Sequence, residues 1–77
     1  MVRVRFFGMT GDVVGAKELP VLTSGSTVSE IVDRLKLDHP GLAKLDLKFA
    51  VNQEYASADT PVGSADELAI FTAVSGG

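Results

Sequence analysis

The chain has 77 residues, 45% of them hydrophobic and 22% charged, with a net charge of −3 and no cysteine. That length holds one core and excludes a multidomain enzyme, and the lack of cysteine excludes disulfides, zinc–thiolate sites and a cysteine nucleophile. Seven scattered Lys and Arg residues against ten Asp and Glu argue against nucleic acid or a membrane as partner, and so small a domain without bridges suits a reducing cytoplasm.

Met1-Val2-Arg3-Val4-Arg5 is positively charged but lacks the apolar stretch of about 7 to 15 residues of a signal peptide. The longest apolar run, Leu68-Ala69-Ile70-Phe71, falls far short of the roughly 20 residues that cross a bilayer. Val2, Val4 and Phe6 alternate with Arg3 and Arg5, which predicts a strand buried on one face. Residues 8–17 carry Gly8, Gly11, Asp12 and Gly15 and read as the loop of a wide hairpin. The chain then returns over residues 18–22 as a second strand, and Pro20, with no N–H to give to a ladder, assigns that strand to a sheet edge.

Thr27 and Glu30 have the spacing of a capping box and predict a helix start. Val28, Ile31, Val32 and Leu35 follow at i, i+3, i+4 and i+7 and form one apolar stripe. Pro40 ends the helix, and Leu42 and Leu45 continue as a short turn over the core. Phe49 and Val51 belong to a third strand, Asn52-Gln53-Glu54 to a polar turn, and Tyr55 to a short extended segment. Residues 57–66 read as loop. Residues 67–71 are apolar on both alternating sides, which predicts a central strand covered on both faces.

A hairpin, a crossover helix and a further strand pairing parallel with the first make an α+β fold, a mixed sheet with one main crossover helix. This is the β-grasp, or ubiquitin-like, arrangement. Residues 1–71 are expected to form that domain and residues 72–77 a flexible C-terminal Gly-Gly tail.

A self-sufficient active site is not expected. His39, the single histidine, sits at a helix end, where a contact with the helix dipole is its ordinary role. Serines have no second histidine to act as base. Asp59, Asp66 and Glu67 flank turns as solvated carboxylates do, so no metal site and no bound cofactor are expected. Residues 8–11 match neither a phosphate loop nor a dinucleotide fingerprint.

The end of the sequence is more informative. Thr72-Ala73-Val74-Ser75-Gly76-Gly77 follows directly on the last strand, and a Gly-Gly terminus arises by chance in roughly 0.5% of chains at average glycine usage. A carboxylate must be activated before it reacts as an acyl donor, usually by ATP through an acyl-adenylate. Two residues without Cβ pass a narrow enzyme channel. Six extended residues reach about 20 Å. Phe71 is expected on the sheet face opposite the helix, and Phe7, leaving the register beside Gly8, would join it in an aromatic patch for a partner.

Through Val2 to Phe7, Thr27-Val28-Ser29-Glu30, His39-Pro40, Val51-Asn52-Gln53-Glu54-Tyr55, the stretch from Asp66 to Phe71 and Val74-Ser75-Gly76-Gly77, the sequence resembles the ubiquitin-like sulfur carriers. Among them it is most similar to the small subunits of molybdopterin synthases. The resemblance implies that an adenylating enzyme of the ubiquitin-activating type uses ATP to adenylate Gly77, with Gly76 permitting entry, and that a sulfurtransferase supplies sulfur to form a terminal thiocarboxylate. It implies sulfur transfer to a pyranopterin precursor within the synthase large subunit, for molybdenum cofactor biosynthesis. Phe7, Phe71, Val74 and Ser75 would contact partners. Three alternatives stay open: a protein modifier conjugated through Gly77, a plain β-grasp interaction domain with an incidental tail, and a sulfur carrier for another pathway such as thiazole synthesis or tRNA thiolation.

Overall fold

The computed structural model describes residues 1–22 and 26–72. Along β1 (Val2–Phe6), Val2, Val4 and Phe6 are buried and Arg3 and Arg5 exposed, the alternation that a sheet covered on one face imposes. β1 pairs antiparallel with β2 (Glu18–Val21). The Phe6 N–H bonds the Lys17 carbonyl at 2.9 Å, so the alternation turns position 20 outward and Pro20 costs no ladder bond at this edge. Leu22, expected in the strand, lies beyond it and is exposed.

Residues 8–17 are not an open loop. They contain a helix, α1 (Met9–Val14); of the glycines that read as breakers, Gly8 and Gly15 are its ends and Gly11 lies within it. Gly8 at φ 61° and Gly15 at φ 79° occupy backbone that side chains disfavour, and the Gly15 N–H closes the helix on the Gly11 carbonyl at 2.8 Å. Thr10 and Val14, one turn apart, pack inward.

The main helix, α2 (Val28–Asp38), begins as its capping box directs. The Thr27 hydroxyl accepts from the Glu30 N–H at 3.4 Å, and Glu30 Oε1 accepts from the Thr27 N–H at 3.0 Å. Val28, Ile31, Val32 and Leu35 are all buried. His39 caps the far end, its N–H on the Leu35 carbonyl at 2.8 Å, and Pro40 opens a 3-10 helix (Pro40–Lys44) that buries Leu42.

The stretch 57–66 also departs from a plain loop. β6 (Pro61–Val62) pairs antiparallel with β3 (Ser26–Thr27) and buries Val62. Two residues are too few to show a period. The adjoining carbonyls of Ala58 and Thr60 accept from Ser29 and Val28 N–H at 3.0 and 2.9 Å, pairing first-turn donors of α2 that the helix itself leaves unpaired.

β4 (Leu47–Val51) and β5 (Glu54–Ala56) form a hairpin across Asn52-Gln53. Both turn residues have positive φ, 51° and 70°, as a two-residue type I′ connection requires, so Glu54 belongs to the strand and not to the turn. β7 (Glu67–Thr72) runs parallel to β1 and antiparallel to β4, giving the sheet order β2-β1-β7-β4-β5. The central, parallel place expected for the last strand is the one it holds. Its expected double cover is not: Leu68 and Ile70 join one core with Val2, Val4, Phe6 and the α2 stripe, while Ala69 and Phe71 on the opposite face stay only half-buried. The architecture is the α+β β-grasp, held by core side chains that contribute about 1.5–3 kcal/mol each on burial. Among the described residues, no helix is long and apolar enough to cross a membrane.

Candidate functional site

The sheet face turned away from α2 carries the candidate site. Register places Glu18, Arg5, Ala69, Ala50 and Tyr55 in one row across five strands, Pro20, Arg3 and Glu67 in the next, and Phe71 opposite Lys48 in a third. The Phe7 N–H donates to the Ile70 carbonyl at 3.0 Å, which carries the parallel register one residue past β1 and sets Phe7 beside Phe71. Phe7 therefore does not leave the register; the break comes at Gly8, where φ turns positive.

Each aromatic ring has a neighbour that fixes it. The Arg5 guanidinium carbon lies 5.2 Å from the Phe7 ring centre, within cation–π range. Arg5 is itself tethered, donating from Nη1 to Glu67 Oε1 at 3.2 Å and standing 3.9 Å from Glu18. Such exposed ion pairs contribute roughly 0–1 kcal/mol each, so their effect is to hold the guanidinium over the ring more than to stabilise the fold. Phe71 meets Tyr55 with centroids 6.1 Å apart and planes tilted by 54°, a favoured aromatic geometry. Beside these rings the sheet carries only the paired small residues Ala50 and Ala69, and a shallow hollow lined by Ala50, Gln53, Tyr55 and Phe71 opens there.

Of the residues singled out from sequence, Phe7 and Phe71 come together at the C-terminal ends of adjacent strands, with Phe7 44% exposed. Val74, Ser75, Gly76 and Gly77 lie outside the described residues. Sequence reasoning missed Tyr55 as a surface residue; it is 88% exposed. Counting back through the two-residue turn would have set Tyr55 opposite Ala50 and hence in line with Ala69. It also missed the role of Arg5, since an alternating charged position reads only as a solvated face.

Of the acidic residues near the turns, Asp66 and Glu67 have structural partners, Glu67 through Arg5. The Asn52 side chain donates to Asp66 Oδ1 at 3.0 Å and the Gly63 N–H to Oδ2 at 2.7 Å, and these two bonds, Asn52 first, hold the Asp66 carboxyl below the ordinary carboxylate range. Asn52 Oδ1 in turn accepts from the Glu67 N–H at 3.0 Å, which ties the β4–β5 turn to the start of β7.

A β-grasp body with a clustered, partly exposed aromatic face at the end of its last strand defines a ubiquitin-like protein with a candidate partner surface there. The chain belongs to the ThiS family, which matches residues 4–77. It is 33% identical over 79 residues to the molybdopterin synthase sulfur carrier subunit of Arabidopsis thaliana, across 99% of this chain and 82% of that one, and is thus a homologue of a sulfur carrier subunit. Its fold matches SAMP1 of Haloferax volcanii, a small archaeal modifier protein, with a TM-score of 0.83 and 26% identity over 99% of this chain and 98% of the other. It also matches a putative molybdopterin converting factor subunit 1 of Pyrococcus furiosus, with a TM-score of 0.84 and 24% identity over 95% and 97% of the two chains, a likeness of fold.

Proposed function

We propose that the chain is the small, sulfur-carrying subunit of a molybdopterin synthase and is not catalytic by itself. The observation that carries this reading is the 33% identity, over nearly the whole chain, to a protein of that name. The residue pattern supports it, since Phe71 lies one residue before the end of β7 and the Gly76-Gly77 pair follows five positions later.

In this reading the body docks outside an adenylating enzyme of the ubiquitin-activating type through Phe7, Phe71 and Tyr55, and Val74 and Ser75 lead the terminus inward. The Gly77 carboxylate attacks the α-phosphorus of ATP and pyrophosphate leaves; the persulfide of a sulfurtransferase then attacks the Gly77 carbonyl carbon and displaces AMP, and a thiol cleaves the resulting acyl disulfide, releasing the thiocarboxylate and leaving a disulfide with the sulfurtransferase sulfur. The same face engages the large subunit, where the sulfur passes to a pyranopterin precursor. A reducing cytoplasm suits this chemistry and the cysteine-free chain.

The test is incubation with ATP and the adenylating enzyme, followed by intact-mass measurement. Adenylate at Gly77, then a species heavier by the difference between sulfur and oxygen once a sulfur donor is added, is expected. Absence of adenylate, with an active enzyme shown on its own carrier, refutes the reading. A second reading, attachment of Gly77 to lysines of other proteins, is favoured by the likeness to SAMP1. Higher-mass conjugates lost on deleting Gly77 would select it.

A further inference from the structure

Thr10 is fully buried, the one buried polar side chain among the described residues, and it lies on α1, a helix the sequence pattern did not disclose. Its hydroxyl sits 2.7 Å from the Phe7 carbonyl and 3.0 Å from the Ile70 carbonyl. With a single proton, it shares one donor between two acceptors. Those carbonyls belong to adjacent parallel strands at their C-terminal ends, and the Ile70 carbonyl already accepts from the Phe7 N–H at 3.0 Å. Thr10 therefore bonds both sides of the last rung between β1 and β7, immediately before Phe71.

This rung is the last that β1 provides, while on its other side β7 stays paired with β4, Phe71 opposite Lys48 and Thr72 opposite Leu47. Beyond it, past the end of β1, Gly8 at φ 61° turns the chain away, so β7 has no further hydrogen-bonding partner on that side from β1. α1 is itself wedged in place, with Val13 seated against Gly41 of the 3-10 helix so closely that a Cβ at position 41 would stand 2.9 Å from Val13 Cγ1. The sequence places Thr10 sixty positions from Ile70, yet the fold makes it a cross-brace between the helix layer and the strand that leads to the terminus.

We propose that Thr10 is a positioning residue for the carrier's docking: it holds the C-terminal ends of β1 and β7 in register, so that Phe7 and Phe71 present as one surface at the root of the tail. This deepens the sulfur-carrier reading and rests on it for the docking step. Thr10 touches neither substrate nor partner and acts through the Phe7 and Ile70 carbonyls.

Three variants of the full chain decide it. Thr10→Val keeps the β-branched shape and removes the donor, Thr10→Ser keeps the donor, and Val21→Ala, at the buried end of the edge strand β2, supplies a comparably destabilised control. In hydrogen exchange of the free protein, T10V is expected to speed exchange of the Phe7 N–H roughly tenfold relative to the Ile31 N–H in α2, with T10S and V21A leaving that ratio near the parent's. In adenylation kinetics, T10V is expected to raise KM for the carrier several-fold with kcat held, the signature of lost docking, and T10S to restore it. An unchanged exchange ratio in T10V, or a KM shift no larger than that of V21A, overturns the proposal. If the parent chain yields no adenylate, the sulfur-carrier reading falls and the exchange ratio alone decides whether Thr10 braces the rung.

Discussion

Gly41 offers the sharpest test of how α1 is held. A Cβ added there would meet Val13 Cγ1 at 2.9 Å and Cγ2 at 3.9 Å. Carbon atoms pack best at about 3.5–4.0 Å, so at least roughly 0.6 Å of movement is needed. Valine on a helix has essentially one good rotamer, so the movement falls on α1 or on a strained side chain. Overpacking of this kind costs about 1–3 kcal/mol. Val13 is 36% exposed and has some room to turn outward, which places the cost near the middle of that span.

Against it stands a gain. Gly41 is not among the residues with positive φ, so alanine fits its backbone and should recover about 0.4–1 kcal/mol of unfolded-chain entropy. The net for Gly41→Ala is a loss of about 1 kcal/mol, or about 4–8 °C in Tm for a domain of this size. In a Val13→Ala background the clash disappears and only the gain remains, so the same substitution should stabilise. Thermal and urea unfolding of the four chains of this double-mutant cycle measure the coupling directly. A Gly41→Ala protein as stable as its parent, or an equal cost in both backgrounds, would refute the packing argument.

Phe71→Ala should lower affinity for the adenylating enzyme by at least tenfold while leaving cooperative unfolding intact, because a half-buried ring at the sheet face contributes more to an interface than to the core; titration calorimetry with unchanged affinity would count against the docking face. Gln53→Gly should raise stability by about 0.5–1 kcal/mol, read as a higher urea midpoint at constant m, since glutamine at φ 70° pays a left-handed cost that glycine avoids. Asp66 has a carboxyl held below its ordinary value, first by Asn52 and then by Gly63. The folded state thus binds that proton less readily than the unfolded chain, so its stabilisation is complete above about pH 4–5 and is lost as pH falls through the lowered value. Asp66→Asn, which cannot titrate, should flatten the acid limb of Tm against pH; an unaltered slope would show that other carboxylates set it.

What the sequence disclosed depended on how far each signal reached along the chain. β1 and α2 span at least five residues and repeat with periods of two and 3.6, and the capping pair Thr27 and Glu30 marks where one period begins. Pro20 located an edge because its chemistry forbids the alternative. α1 was hidden because six residues hold too few turns to show a stripe, and because Gly8 and Gly15 are as typical of helix ends as of loops. β6 has two residues and no period at all. The site divides along the same line. Phe71 could be placed by alternation, since its strand is long; Tyr55 could not be joined to it until the register of β5, β4 and β7 was known. Thr10, Gly41 and Val13 derive their meaning wholly from contacts between elements, and nothing in their local spacing marks them. On the proposed docking face, Phe71 is thus set by a strand with a readable period, whereas Tyr55 and the residues that hold that face in place are set by elements without one. A search for variants that alter docking without touching the docking face should therefore begin on α1.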